Sequence, residues 1–197
     1  MSKAEKTRQF IIEKSAPIFN MKGYAGTSLA DLVEATGLTK GAIYGNFENK
    51  DEVATAVYKY HVYVLNKRIA NFLRERESMT EKLKGLADYY RVNWKSVFEH
   101  GGCPIQNASV EADDNAAFLK RHVQHSISGW TKGIAGLIEE GQKKGEFRKN
   151  ISPEEYAYTI IMLLEGGMML GKIMNNHKLL YSALDRIDAI IETEMKK

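Results

Sequence analysis

The chain is poor in several things, and each scarcity narrows its class. One cysteine, Cys103, stands in 197 residues, so no intramolecular disulfide can staple the fold and a reducing, cytoplasmic setting is expected. There are three prolines and no run in which Val, Ile or Thr alternates with polar residues, which removes the signature of sheet. No stretch approaches the ~20 apolar residues of a membrane helix. The most apolar one, from Tyr156 to Leu164, is ended by Glu165 and two glycines. The opening residues MSKAEKTRQF lack the basic-then-apolar order of a secretory leader. Charge of neither sign dominates, the balance being +3, so total charge does not by itself announce a nucleic-acid binder.

What is present is helical patterning. A hydrophobic content of 44% suffices for one large or two small domains with a buried core, and apolar residues recur at three- and four-residue spacing almost throughout. An all-α fold of about nine helices is expected, at roughly 4–21, 28–36, 39–46, 50–76, 79–99, 104–111, 113–144, 153–175 and 178–195. Capping signals punctuate it. Ser78 with Glu81, and Ser152 with Glu155 behind Pro153, read as capping boxes, and Asn49 precedes a helix whose first turn holds Asp51 and Glu52. Pro17 falls inside the first helix and should kink it.

The segment TSLADLVEATGLTKGAIYGNFENKDEV, Thr27 to Val53, carries the most information. Leu29, Leu32 and Val33 form one apolar stripe, and Gly37 can end that helix at positive φ. Thr39 can cap the next helix, which holds Gly41 and Gly45, each lowering helix propensity by about 1 kcal/mol relative to alanine. Packing of Ile43 and Phe47 must therefore hold it, leaving Lys40, Gly41 and Tyr44 facing outward. A glycine there makes sense where backbone must approach another surface, and the major groove of DNA is such a surface. On that reading Thr27, Ser28, Thr39 and Lys50 contact phosphates, while Lys40, Gly41 and Tyr44 approach base edges.

The ordered combination resembles the N-terminal domain of the TetR family. The residues that carry the resemblance are Ile11, Ile12, Ile18 and Phe19, then Gly23-Tyr24, Thr27-Ser28, Asp31-Leu32, Gly37-Leu38-Thr39-Lys40-Gly41, Ile43-Tyr44, Phe47 and Lys50. The resemblance implies a dimeric repressor that binds a pseudo-palindromic operator on double-stranded DNA and releases it when a small ligand enters the C-terminal domain. It also implies a helix-turn-helix domain at 1–50 and a ligand-binding and dimerisation domain at 51–197. Gly45 and Asn46 depart from the family, where larger aromatic or basic side chains are common; Asn46 is kept among the DNA-facing candidates.

Beyond Val53 the reading is coarser. Tyr156, Ile160, Leu163, Leu164, Gly167 and Leu170, then Leu180, Leu184, Ile187, Ile190 and Ile191, mark two apolar helix faces. They serve either a homodimer interface through the last two helices, which is favoured because two recognition helices must be spaced by ~34 Å, or packing within one chain. GGMMLGKI, Gly166 to Ile173, imitates a phosphate loop but has Ile173 where a hydroxyl is required and no strand before it. Tyr90, Trp94, Phe98, Cys103, Phe118, His122, Trp130, Met162 and Met169 are candidates for a small-molecule pocket, or ordinary core. Cys103, between Gly101-Gly102 and Pro104, stands at a helix start that would favour a thiolate able to sense oxidants or electrophiles; a small buried side chain is the plainer alternative. His122 and His125 share a helical face without a third ligand, so no metal is expected. No nucleophile-base pair or cofactor loop is supported. The expectation is a DNA-binding regulator without cofactor, rather than an enzyme or a helical interaction module.

Overall fold

The computed structural model describes residues 2–197. Among these residues it contains nine α-helices: α1 (Lys3–Lys22), α2 (Leu29–Thr36), α3 (Lys40–Tyr44), α4 (Lys50–Leu73), α5 (Met79–Glu99), α6 (Pro104–Asp114), α7 (Ala117–Lys144), α8 (Pro153–Ile173) and α9 (His177–Ile190). The all-α expectation holds. Among the described residues the one β-type pairing is an isolated bridge between Phe147 and Lys196.

Local chemistry sets the helix ends. Ser2 and Glu5 open α1 with a capping box, Ser28 and Asp31 open α2 with another, and the expected Ser78–Glu81 box opens α5. At α8 the Ser152 hydroxyl accepts from the Glu155 N–H at 3.4 Å. Asn49 caps α4 by accepting from the Glu52 N–H at 2.9 Å. Pro17 sits inside α1, which continues to Lys22. Two boundaries differ most from expectation. The seventh helix starts at Ala117 and not near 113, because the N–H groups of Asn115 and Ala116 both turn back to the Glu111 carbonyl, at 2.8 and 2.7 Å. The ninth ends at Ile190, and the chain continues through a wider π-type turn, Ile191–Met195. Gly166 to Ile173 lie wholly within α8, so no phosphate-cradling loop exists there.

The chain divides into two compact units, one containing residues up to Leu65 with Cys103–Ser126, the other Asn66–Gly102 with Ile127–Lys197. The boundary expected at residue 50 has no linker to occupy, since α4 runs unbroken from Lys50 to Leu73. The first unit closes around Ile11, Phe19, Leu32, Ile43, Val57 and Leu119, all fully buried. In the second, Leu83, Ile138, Ile160, Leu180, Leu184 and Ile187 are fully buried. There α8 and α9 approach closely: a Cβ added at Gly167 would lie 2.6 Å from the Ala183 Cβ. No helix among the described residues is long and apolar enough to cross a membrane.

Candidate nucleic-acid interface

Helix α2 ends at Gly37, whose φ of 66° is left-handed and whose N–H returns to the Val33 carbonyl. That turn delivers Thr39, which starts α3 by accepting from the Ala42 N–H at 3.2 Å. Helix α3 has five residues, too few to persist alone. Its inner side is anchored by buried Ile43, with buried Phe47 just beyond its end, in a core shared with Leu32. Lys40 and Gly41 are exposed on its outer side. A Cβ at Gly41 would meet nothing closer than the Thr39 hydroxyl at 4.0 Å, so nothing within the chain requires glycine there. Tyr44 is half-buried against the core and is less outward than the spacing implied.

Three candidates for phosphate or groove contact are occupied within the protein. Thr27 is fully buried, and its hydroxyl donates to the Gly23 carbonyl at 2.6 Å; it caps the preceding turn and is withdrawn as a phosphate contact. The Lys50 ammonium donates to the carbonyls of Thr27 and Tyr24, at 2.9 and 3.2 Å. It therefore ties the α1–α2 loop to α4, and a phosphate would have to compete with those carbonyls. Asn46 turns its amide back on the Ala42 carbonyl at 2.9 Å. Ser28 and Thr39 remain exposed at helix starts. The Lys22 ammonium and the Ser28 N–H and hydroxyl hold the Asp31 carboxyl far below the usual carboxylate range.

Sequence reasoning missed the groups that hold this surface in place. Glu111 on α6 accepts from the N–H groups of Tyr24 and Ala25 at 2.8 and 2.7 Å. Asn107, one turn earlier, donates to the Asn20 carbonyl at 3.2 Å. Glu111 thus takes the N–H groups of the α1–α2 loop while Lys50 takes its carbonyls, each charge at the end of the peptide dipole it favours. Gly23 lies in the same loop with φ 81°, and a Cβ there would fall 2.5 Å from a Glu111 oxygen. Arg8 on α1 donates to the Asn46 carbonyl and to Glu52 Oε1, the latter at 2.6 Å. The Glu48 N–H, with Arg8 beside it, lowers the pKa of Glu52. No spacing rule links residues 8 and 46, or 24 and 111; the one available signal was Glu52, three residues after the cap Asn49.

The candidate pocket residues are divided between the two units. Cys103, Phe118 and His122 belong to the first unit and the other six to the second. Trp94 and Phe98 do meet, edge to face at 5.6 Å, and the Trp94 ring stacks on His177 at 4.4 Å. Tyr90 is core, edge-on to Tyr89 at 5.1 Å, and the Trp130 indole N–H donates to Asn66 at 3.1 Å. Cys103 is buried at the start of α6, where its side chain makes no capping bond. Phe118 is 37% exposed. His122 is half-buried, and desolvation, with Lys59, His125 and Arg121 nearby, lowers its pKa. Met162 and Met169 are corrected: they are 65% and 52% exposed on α8. They share that helix face with Tyr158 and Ile173, also exposed. Of the faces expected to dimerise, Ile160, Leu164, Leu180, Leu184, Ile187, Ile190 and Ile191 are buried within one chain, whereas Leu170 is 47% exposed and Tyr156 and Leu163 are half-buried.

Comparison with known proteins gives the arrangement its relatives. Residues 11–57 match the family model of bacterial regulatory proteins, tetR family, and residues 80–187 match the tetracyclin repressor-like C-terminal domain. A TetR-family transcriptional regulator from Cytophaga hutchinsonii superposes with TM-score 0.95 at 36% identity, covering 100% of this chain and 98% of that one. A TetR transcriptional regulator from Chloroflexus aurantiacus gives TM-score 0.91 at 32% identity, covering 100% and 99%. The chain is also 26% identical over 171 residues to the transcriptional repressor DhaR of Mycobacterium sp. strain GP1, covering 87% of this chain and 85% of the relative.

Proposed function

Because the chain belongs to the TetR family of DNA-binding transcriptional regulators, we propose that it is a ligand-released repressor whose α3 reads the major groove of a palindromic operator. Lys40, Gly41 and Tyr44 face the bases on this reading, while Ser28, Thr39 and the start of α4 face phosphates. The protein acts without cofactor or catalysis, in the cytoplasm, as a homodimer. The exposed α8 face of Tyr158, Met162, Met169 and Ile173 meets its copy in a second chain. An apolar stripe of this kind on a surface helix marks an interaction site. The ligand acts on the C-terminal part of the chain, and α6 carries its effect through Glu111 and Asn107 to the α1–α2 loop. Release by an oxidant or electrophile at Cys103 is a narrower version of the same reading.

One observation carries the DNA-reading role of α3: exposed Gly41 has empty space where a side chain would stand. Gly41→Ala separates structure from function. Alanine should raise the stability of the domain by up to about 1 kcal/mol, since it removes the propensity penalty without a clash. It should weaken operator binding, because the methyl occupies the space kept for DNA. Thermal unfolding and a binding titration against a duplex enriched by the wild-type protein read the two effects. A stabilised variant that binds the duplex as tightly as wild type defeats the proposal.

A further inference from the structure

Helix α3 is not closed at its C-terminal end by a left-handed residue: Gly45 has φ −74° and ψ −13°. Such an end leaves carbonyl groups in need of donors. The Arg8 guanidinium supplies one to the Asn46 carbonyl. Its other nitrogen pairs with Glu52 Oε1 at 2.6 Å, and its carbon lies 4.0 Å over the centre of the Phe47 ring. Glu52 is itself fixed, its second oxygen accepting from the Glu48 N–H at 2.7 Å. One α1 side chain therefore brackets the turn between α3 and α4 on a carbonyl, a ring face and a carboxylate.

We propose that Arg8 is a positioning residue for base recognition, setting the angle at which α3 meets DNA while making no phosphate contact of its own. This rests on the reading of α3 as the recognition helix. The planar guanidinium can stack on a ring and donate in two directions at once, which the compact lysine ammonium cannot reproduce, so lysine is no substitute. A phosphate that recruited Arg8 would have to compete with Glu52 for its charge. With side chains 38% and 35% exposed, the ion pair contributes little to global stability; its consequence is geometric. Sites of this kind lose function when a support allows about 1 Å of play.

The test compares Arg8→Ala, Arg8→Lys, Glu52→Gln and Lys40→Ala in the full-length protein, each checked for helix content and thermal unfolding. Each is titrated against a duplex enriched by the wild-type protein and against an unrelated duplex, over a range of salt concentrations. Arg8→Ala and Glu52→Gln should each lose about tenfold on the enriched duplex, the scale of one weakened base contact, with unrelated-duplex binding and the salt slope unchanged. Arg8→Lys should recover little of that loss. Equal weakening on both duplexes with a salt slope smaller by about 0.9 would mean a phosphate contact and overturns the proposal. Tighter binding to both duplexes by Glu52→Gln, as a freed Arg8 would give, overturns it too. Should Arg8→Ala fail to fold, Glu52→Gln alone carries the decision. If Lys40→Ala leaves the preference between duplexes intact, the recognition-helix reading itself falls, and this proposal with it; a shifted preference in Lys40→Ala with an unshifted one in Arg8→Ala removes this proposal alone.

Discussion

The end of the first unit around α3 and the α8–α9 pair of the second hold themselves together by different means. Around α3 the ties are bonds from side chain to backbone that span long stretches of sequence: Arg8 to Asn46, Lys50 to Tyr24 and Thr27, Glu111 to Tyr24 and Ala25. Between α8 and α9 the contact is apolar, with Leu180, Leu184 and Ile187 fully buried and Gly167 pressed toward Ala183. A helix of five residues whose outer face is bare cannot bury enough surface to define its own position. Directional bonds do that instead, because they fix angle as well as distance. A long helix pair has area to spare, and α8 buries one face while keeping a second apolar face exposed.

The largest expected effect tests what that second face is for. Met162→Glu places a charge at the middle of the exposed stripe, where 65% of the methionine surface is open in one chain. The folded monomer should tolerate it, since the site is wet. A dimer that buries it must desolvate the carboxylate, and the dissociation constant should rise by about a hundredfold or more. Light scattering on a dilution series reads this, and operator affinity should fall in parallel. A variant that remains dimeric at the wild-type concentration places the interface elsewhere.

A smaller effect is expected at the polar ties. Glu111→Gln replaces one carboxylate oxygen by an amide that cannot accept from a loop N–H, so either Tyr24 or Ala25 loses its partner. Bonds from a charged acceptor contribute about 1.5–3 kcal/mol each, and urea unfolding should register a loss in that range. Operator affinity should drop as well, although Glu111 lies on α6. If stability falls while affinity holds, the loop bond is structural alone and α6 carries no signal through it.

The contrast between the regions also explains what was legible in the sequence. Helices could be placed because their periodicity and caps are local: Ser78 with Glu81, Asn49 before α4 and Gly37 after α2 form as expected. The buried anchors Leu32, Ile43 and Phe47 followed from the same spacing. The polar ties did not, because Lys50 reads as an anion site at a helix start until the carbonyls of Tyr24 and Thr27 are placed beside it. Thr27 misled for the same reason, since a threonine before a helix is as ready to cap a turn as to meet phosphate. In α8, hydrophobicity marked both faces alike. Nothing in Ile160 or Met162 as residue types distinguishes the face that packs inside the chain from the one left open.

The smallest effect separates the regions by pH. His61 on α4 hydrogen-bonds through Nε2 to the Ala16 carbonyl of α1 at 2.8 Å, and burial lowers its pKa from the ordinary value of 6.5. The folded chain therefore keeps this imidazole neutral where the unfolded chain begins to take up a proton. Its stabilising contribution is complete above pH 6.5 and is lost as pH falls through the lower folded value, with a slope of at most about 1.4 kcal/mol per pH unit. The carboxyls with lowered pKa, Asp31 and Glu52 among them, act in the same direction at more acid pH, below their unfolded values. His122 shares the histidine window, its pKa also lowered. His61→Gln keeps a donor for Ala16 but cannot titrate, so its stability should fall less steeply than wild type between pH 7 and pH 5.5, the remaining slope belonging to His122. Parallel curves for the two proteins would mean that α4 relaxes from α1 and lets the imidazole reach water. Hydrogen exchange in the same series should show the loss in α1 and α4 while α8 and α9 stay protected, because no bond of this kind holds Leu180, Leu184 and Ile187 in place.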